Sequence, residues 1–301
     1  MEDGRGTEST QGDGERGSGA PHPAVGVGAF LLFVAAGWIA AAVLVAPLPD
    51  TAMPWRAVIS SLLGVVVATW AVVRWVDRRS FTEIGLGIGR WVSGHLGYGL
   101  LWGAALFAAG FALVAAGGTV RFTPEAGTAL GYLGALTSML LFFTVAAAAE
   151  EVLFRGYALR VLSDRWGPAV AVLITSVLFG LAHAANPEVT PLALFNIFLA
   201  GLWLGLAVVR TGSLWFAIGL HTGWNWAMAA LFDVPVSGLT QGFDTPLYSV
   251  MVGDPEWWTG GGFGPEGGVA ALIALAAATL WMGRGGRIPG IAAHAERRST
   301  R

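Results

Sequence analysis

The sequence predicts an all-α, polytopic integral membrane protein with about eight transmembrane helices and both termini in the cytoplasm. Three observations carry that expectation. Hydrophobic residues make up 55% of the 301-residue chain and charged residues only 12%, whereas a soluble domain carries roughly 25% charged residues to cover its surface. Apolar runs recur along the chain, each near the roughly 20 residues a helix needs to cross about 30 Å of hydrocarbon. Arginine is concentrated in alternate connections between these runs.

Residues 1–23 are rich in Gly, Glu, Ser, Thr and Arg without an apolar period and read as a disordered tail. The first run, Ala24 to Ala46, exceeds the roughly 7–15 residues of a signal-peptide core and reads as a retained span. The next two runs are Ala57–Val73 and Gly94–Ala116, completing an N-terminal membrane region over residues 24–127. Residues 128–232 form a second membrane region. Its runs are Ala129–Ala149 continuing into the following turns, Pro168–Ala185, Val189–Val209 and Leu214–Phe232. A Gly-rich loop over residues 233–266 follows, holding Asp244, Asp254, Glu256, Trp257 and Trp258. It reads as an external loop with Trp at the headgroups, or as an interfacial lid. A short last span over residues 267–283 and a basic tail over residues 284–301 complete the chain.

Arginine sets the orientation. Arg74, Arg78, Arg79 and Arg90 follow the second run, and Arg155, Arg160 and Arg165 follow the fourth. Arg210 lies between the sixth and seventh runs, and Arg284, Arg287, Arg297, Arg298 and Arg301 lie in the tail. The alternate connections are poor in Arg, with Arg121 alone in residues 117–127 and none in residues 233–266. The positive-inside rule therefore puts both termini in the cytoplasm.

Cys is absent, which excludes disulfides, Cys-ligated zinc and thiol catalysis. A net charge of −2 without a basic excess argues against a nucleic-acid partner.

The residues that carry chemistry begin with Glu150, Glu151 and Arg155, at the end of an unbroken apolar run. Carboxylates at membrane depth cost about 2.5 kcal/mol or more each to insert and normally face the protein interior with partners. Glu151 and Arg155 are spaced i,i+4 and share a helix face, so they can pair. Glu150 points elsewhere, and a carboxylate in low-dielectric surroundings suits general-base chemistry. A plain alternative is an interfacial pair marking where the helix leaves the membrane.

Two further constellations add weight. Phe179 and His183 share a face of the fifth run, and His221 and Asn225 share a face of the seventh. A lone membrane His is often a helix–helix hydrogen-bonding residue, but two His, one Asn and two Glu on three spans are hard to explain as independent packing choices. At 1.5 Å per residue, Glu150 and Asn225 lie about 18 Å, and His183 about 22 Å, from the Arg-rich ends of their spans. A common layer is therefore expected.

Such a cluster permits peptide hydrolysis without a covalent intermediate. A Glu and a His can hold and deprotonate a water, while a second His and an Asn donate to the developing oxyanion. The Gly-x-Ser-x-Gly elbow of a serine hydrolase is missing, Ser176 has no base at i±4, and the spans carry no paired Asp. Zinc held by Glu150, His183 and His221 stays open, although no His-Glu-x-x-His helix is present.

The ordered motifs Glu150-Glu151-Val152-Leu153-Phe154-Arg155, Phe179-Gly180-Leu181-Ala182-His183 and His221-Thr222-Gly223-Trp224-Asn225 resemble those of the CPBP family. These are the CAAX-processing and bacteriocin-processing enzymes, also called the Abi or type II CAAX prenyl endopeptidase family. The resemblance covers residues 130–228. It implies an eight-span intramembrane glutamic endopeptidase. Glu150 and His183 would activate water, and His221 and Asn225 would form the oxyanion site. Glu151 and Arg155 would support the site and contact substrate, with Phe179 packed beside them. The resemblance also implies a membrane-bound or lipidated peptide substrate, no resident cofactor, and, as in eukaryotic members, a cavity open to the cytoplasm. A bacterial cell membrane is the expected location. A non-catalytic immunity or regulatory scaffold of the same family, and a transporter using Glu150 for proton coupling, are the competing readings. Oligomeric state and substrate identity are not legible.

Overall fold

The computed structural model describes residues 23–47, 53–240 and 245–286. The N-terminal tail read as disordered, Asp244, and tail residues Arg287, Arg297, Arg298 and Arg301 lie outside the described residues.

The chain forms a helical bundle. In order it contains α1 (Pro23–Val45), α2 (Met53–Ala71), α3 (Val92–Ala116), β1 (Val120–Pro124), α4 (Ala129–Glu151), α5 (Ala158–Trp166) and α6 (Pro168–Ala182). Then come α7 (Pro191–Thr211), α8 (Leu214–Trp226), β2 (Tyr248–Val252), α9 (Glu256–Thr259) and α10 (Val269–Gly283). Single π turns extend α2 over Val72–Asp77, α4 over Val152–Tyr157 and α8 over Ala227–Leu231. Local chemistry explains the boundaries. Thr128, Thr190 and Ser213 cap α4, α7 and α8 by accepting backbone N–H groups, and Pro191 opens α7. Gly212 ends α7 in the left-handed region with φ 62°.

Each of the eight expected apolar runs contains a helix. Five helical stretches among the described residues are long and apolar enough to cross a membrane: 25–45, 54–77, 92–116, 129–166 and 191–211. Helices α6 and α10 have 15 residues each and reach only about 22 Å. The fifth run was expected to continue as helix through His183. It stops at Ala182 because His183, at φ −93° and ψ 2°, leaves the helix, and its Nδ1 lies 2.8 Å from the Phe179 carbonyl.

The expectation of an all-helical chain is corrected at one end. Strands β1 and β2 pair antiparallel, with Val120 opposite Val252 and Pro124 opposite Tyr248. Both alternate apolar with polar or exposed residues, but their pairing joins segments more than 120 residues apart, beyond any local period.

Small residues set the closest helix contact. Gly99 and Gly103 on α3 face Gly219 and Gly223 on α8, each pair spaced i,i+4. A Cβ at Gly103 would fall against the Leu220 carbonyl, and one at Gly223 against the Leu100 carbonyl. Glycine at all four positions lets the two backbones touch, as membrane helices without a hydrophobic driving force between them require.

The helices separate two faces. Arg79, which reaches Asp77 at 2.8 Å and Asp164 at 2.6 Å, ties the end of α2 to the last turn of α5. The Leu214 N–H donates to the Gly85 carbonyl at 3.0 Å, bringing the start of α8 to the same face. Arg74, Arg78, Arg79, Arg90, Arg160, Arg165, Arg210 and Arg284 gather there. Arg56 and Arg121 are the basic residues near the opposite face among the described residues. That opposite face carries the paired strands β1 and β2 and the described residues between α8 and α10.

Candidate active site

The three polar motifs converge on one cavity of about 340 Å³. Glu150 comes from the end of α4, His183 from the residue after α6, and His221 and Asn225 from α8. Phe142, Phe143, Ala149, Leu153, Phe154, Phe179 and Ile197 supply apolar walls.

Glu150 Oε2 lies 3.8 Å from His221 Nε2 and 4.0 Å from His183 Nε2. These separations exceed a direct hydrogen bond and match two groups sharing one intervening oxygen. The other ring nitrogen of each histidine is engaged. His183 Nδ1 faces the Phe179 carbonyl at 2.8 Å, and His221 Nδ1 faces Glu151 Oε1 at 3.0 Å. A carbonyl or carboxylate oxygen can only accept, so each Nδ1 carries its proton and each Nε2 is turned toward Glu150. The partners differ in charge: a carboxylate stabilises an imidazolium, whereas a carbonyl does so far less.

Glu151 and Arg155 are fully buried. Arg155 Nη1 donates to Glu151 Oε1 at 2.9 Å and Nη2 donates to the Gly201 carbonyl at 3.3 Å. The guanidinium lies over the Phe179 ring, 4.1 Å from its centroid. Phe179 in turn meets Phe154, His183 and His221 edge-on or tilted, at centroid distances of 4.7–5.9 Å. The i,i+4 spacing therefore yields a pair, and that pair orients His221.

Several residues of this site escape sequence reasoning. Glu266, in the segment before α10, is 5% exposed and lines the cavity. Its carboxylate accepts from Trp224 Nε1 at 2.8 Å, from the Ser237 N–H at 3.0 Å and from Ser237 Oγ at 2.7 Å. Asn196 of α7 donates to the Glu266 and Gly268 carbonyls at 2.7 and 2.9 Å, and Asn186 donates to the Ser237 carbonyl at 3.0 Å. The segment read as a loop or a lid thus carries β2 and α9 and forms part of the cavity roof. The only sequence signal for Glu266 is a lone acid directly before an apolar run.

The donor set Glu150, His183 and His221 is of a kind zinc accepts. Tetrahedral donors at about 2.0–2.2 Å from zinc stand roughly 3.4 Å apart, closer than the 3.8 and 4.0 Å observed. Among the described residues no three His, Asp or Glu side chains are grouped to hold a metal. As arranged, these residues do not fit the ion, and no step is routed through one.

Residues 132–227 match the family model described as Rce1-like, type II CAAX prenyl endopeptidase Rce1-like. An uncharacterized 24.3 kDa protein of Escherichia coli is 38% identical over 88 residues, which are 29% of this chain and 40% of that protein. The uncharacterized protein YyaK of Bacillus subtilis (strain 168) is 27% identical over 130 residues, 42% of this chain and 43% of the relative. The chain therefore spans less than half the length of either curated relative. The family match holds all seven residues singled out from the three motifs, whereas Glu266 lies outside it. Over residues 132–227 the chain is therefore similar to the Rce1-like, type II CAAX prenyl endopeptidase family.

Proposed function

We propose that this chain is an intramembrane glutamic endopeptidase that hydrolyses a peptide bond of a membrane-bound or lipidated peptide with an activated water. The observation that carries the reading is the approach of Glu150 Oε2 to the Nε2 atoms of His221 and His183, at 3.8 and 4.0 Å, inside an apolar cavity. Two acceptors aimed at one point, Glu150 Oε2 and the unprotonated His183 Nε2, suit a water that donates its two protons to them. Glu150 and His183 hold that water and take its proton as its oxygen attacks the scissile carbonyl. His221, backed by the Glu151 carboxylate, is suited to carry the positive charge that faces the developing oxyanion, with Asn225 one turn along α8 as a second donor. Arg155 neutralises Glu151 and sets its position. The leaving amine takes back the proton held by Glu150 or His183.

In this reading all eight apolar helices cross a cell membrane, with the Arg-rich face and both termini in the cytoplasm. The test is peptide cleavage by purified, detergent-solubilised protein, read by mass spectrometry on a mixed library of lipidated and plain peptides. Parent and Glu150→Ala are compared with and without a chelator. Cleavage by the parent, lost in the variant and unaffected by chelator, is the expected result. Equal cleavage by Glu150→Ala overturns the assignment, and loss with chelator moves the chemistry to a metal. No cleavage by the parent shifts weight to a scaffold that uses the same residues for shape.

A further inference from the structure

A second hollow lies outside the candidate active site, among α3, α7, α8 and α10. Its volume is about 300 Å³, at the small end of the roughly 300–1,000 Å³ of pockets that hold organic ligands. Trp102 of α3, Trp203 of α7, Phe216 and Leu220 of α8, and Ala278 and Trp281 of α10 line it, and no lining residue is polar. The inner wall is sealed, since Trp203, Phe216 and Leu220 are each no more than 4% exposed. The outer wall is not. Trp102 and Trp281 stack there with centroids 5.8 Å apart, and they are 44% and 41% exposed. On the flank of a bundle of membrane-length helices, that exposure is to lipid. An apolar slot facing acyl chains, with two indoles on its lip, suits one chain lying along the helices.

One end of the slot is basic. Trp281 lies in the last turn of α10 and Phe216 in the first turn of α8, so the slot reaches the Arg-rich face. The Arg210 guanidinium comes to the same place. A Cβ built at Gly285 would lie 3.4 Å from Arg210 Nη2, and one at Gly286 would run into the Trp281 ring. Arg284 directly follows α10. Arg210 and Arg284 are both exposed. Among the described residues neither has an acidic partner, whereas Arg79 and Arg160 on the same face are paired with Asp77 and Asp164.

We infer that this slot is the seat of an anionic phospholipid, with one acyl chain in the slot and the phosphate beside Arg210 and Arg284. Two guanidiniums without acids favour a headgroup of net negative charge, and basic ends of clefts between membrane helices take such headgroups. The occupant is distinct from any peptide cut at Glu150. Trp203 lines both the slot and the active-site cavity and meets Trp224 edge-on at 6.2 Å, so it stands as the wall between them. A chain in the slot backs Trp203 from behind and so supports that wall. The inference needs a chain seated in a bilayer but does not need proteolysis.

The test uses the full chain, delipidated in detergent, and two probes with identical acyl chains, phosphatidylglycerol and phosphatidylcholine. Native mass spectrometry counts the lipid retained, and thermal denaturation reads the stability gained. The parent is expected to retain phosphatidylglycerol and to melt at a higher temperature with it than with phosphatidylcholine. Arg210→Ala combined with Arg284→Ala should weaken that retention about tenfold or more, the scale of two basic groups beside an anionic headgroup. Arg74→Ala combined with Arg165→Ala removes the same charge from exposed positions on elements that do not line the slot, and should not weaken it. Ala278→Trp fills the slot at unchanged charge and should lose retention as well. Should that variant fail to fold, Trp102→Ala with Trp281→Ala opens the slot instead, with the same loss expected. Equal retention of the two lipids by the parent, or retention of neither, overturns the anionic lipid. Equal losses in the two Arg pairs reduce the attraction to the general charge of the face and overturn the seat. Undiminished retention by a folded slot variant overturns the slot.

Discussion

Glu151 Oε1 receives two partners at once, Arg155 Nη1 at 2.9 Å and His221 Nδ1 at 3.0 Å. One oxygen therefore couples the charge balance of the core to the orientation of a candidate catalytic imidazole. Removing Arg155 leaves the Glu151 carboxylate buried without its cation, a change that typically costs about 3–5 kcal/mol. Arg155→Ala is expected to unfold at markedly lower temperature than the parent in detergent. The pair Glu151→Leu with Arg155→Leu is expected to recover much of that stability without recovering activity. Equal melting temperatures for the parent and Arg155→Ala would sink the pairing argument.

Under the proposed function Glu150 bears on chemistry rather than on the fold. It lines the cavity and is partly exposed there, and the buried Arg155 pairs with Glu151 rather than with it. Glu150→Gln keeps the shape and removes the base, so turnover is expected to fall by about 10²–10⁴-fold, the range typical for a general base. Its melting curve should overlay that of the parent. A fall in stability matching that of Arg155→Ala would instead make Glu150 a structural residue.

The facing glycines of α3 and α8 position His221 and Asn225 by backbone contact. Gly103→Ala and Gly223→Ala each force a methyl group against a carbonyl, and overpacking of this kind costs about 1–3 kcal/mol. Gly97→Ala is the matched control, because a Cβ there meets nothing within 4 Å. Thermal denaturation of the three variants should show the first two destabilised and the third unchanged or slightly stabilised.

Glu266 satisfies the indole of Trp224 and two groups of Ser237. Glu266→Ala leaves these buried donors without an acceptor, at about 1–3 kcal/mol, and frees the roof of the cavity. Steady-state kinetics should show KM rising more than kcat falls, because the carboxylate holds the roof and does not face the reacting atoms. A pure kcat effect would place Glu266 in the chemistry itself.

On the Arg-rich face the Ser80 N–H donates to Glu83 Oε1 at 2.9 Å, which holds the Glu83 carboxyl below its ordinary range. A depressed carboxyl contributes stability that is complete above its unfolded value and is lost as pH falls through the folded one. Carbon-13 titration of Glu83 should therefore show a midpoint below that of a free glutamate. Ser80→Pro, which removes the N–H, should return it upward. The group is exposed, so only a small change in global stability should accompany the titration.

What was legible in the sequence follows the range over which each signal acts. Apolar runs and the i,i+4 pair Glu151–Arg155 are local, and each is present as helix or ion pair. The motif order on successive helices already pointed to one layer, and the structure brings Glu150, His183, His221 and Asn225 to one cavity. The β1–β2 pairing and the placement of Glu266 beside Trp224 depend on contacts between distant segments, which no window of sequence reports. The early end of α6 turns on a single side chain, His183, reaching its own helix carbonyl, an outcome that periodicity cannot distinguish from one more helical turn. The glycine spacing on α3 and α8 was present in the sequence, but in a chain with 44 glycines it gains meaning only once the two helices are known to cross.

The roof anchored by Glu266 also has a consequence for biogenesis. A nascent chain emerging as far as residue 232 already holds all seven of the motif residues, yet it lacks the acceptor for Trp224 and the segment that covers the cavity. The cleft is therefore finished only after the ribosome has delivered the stretch before α10. Until then a newly made molecule carries these seven residues in a pocket that lacks its roof.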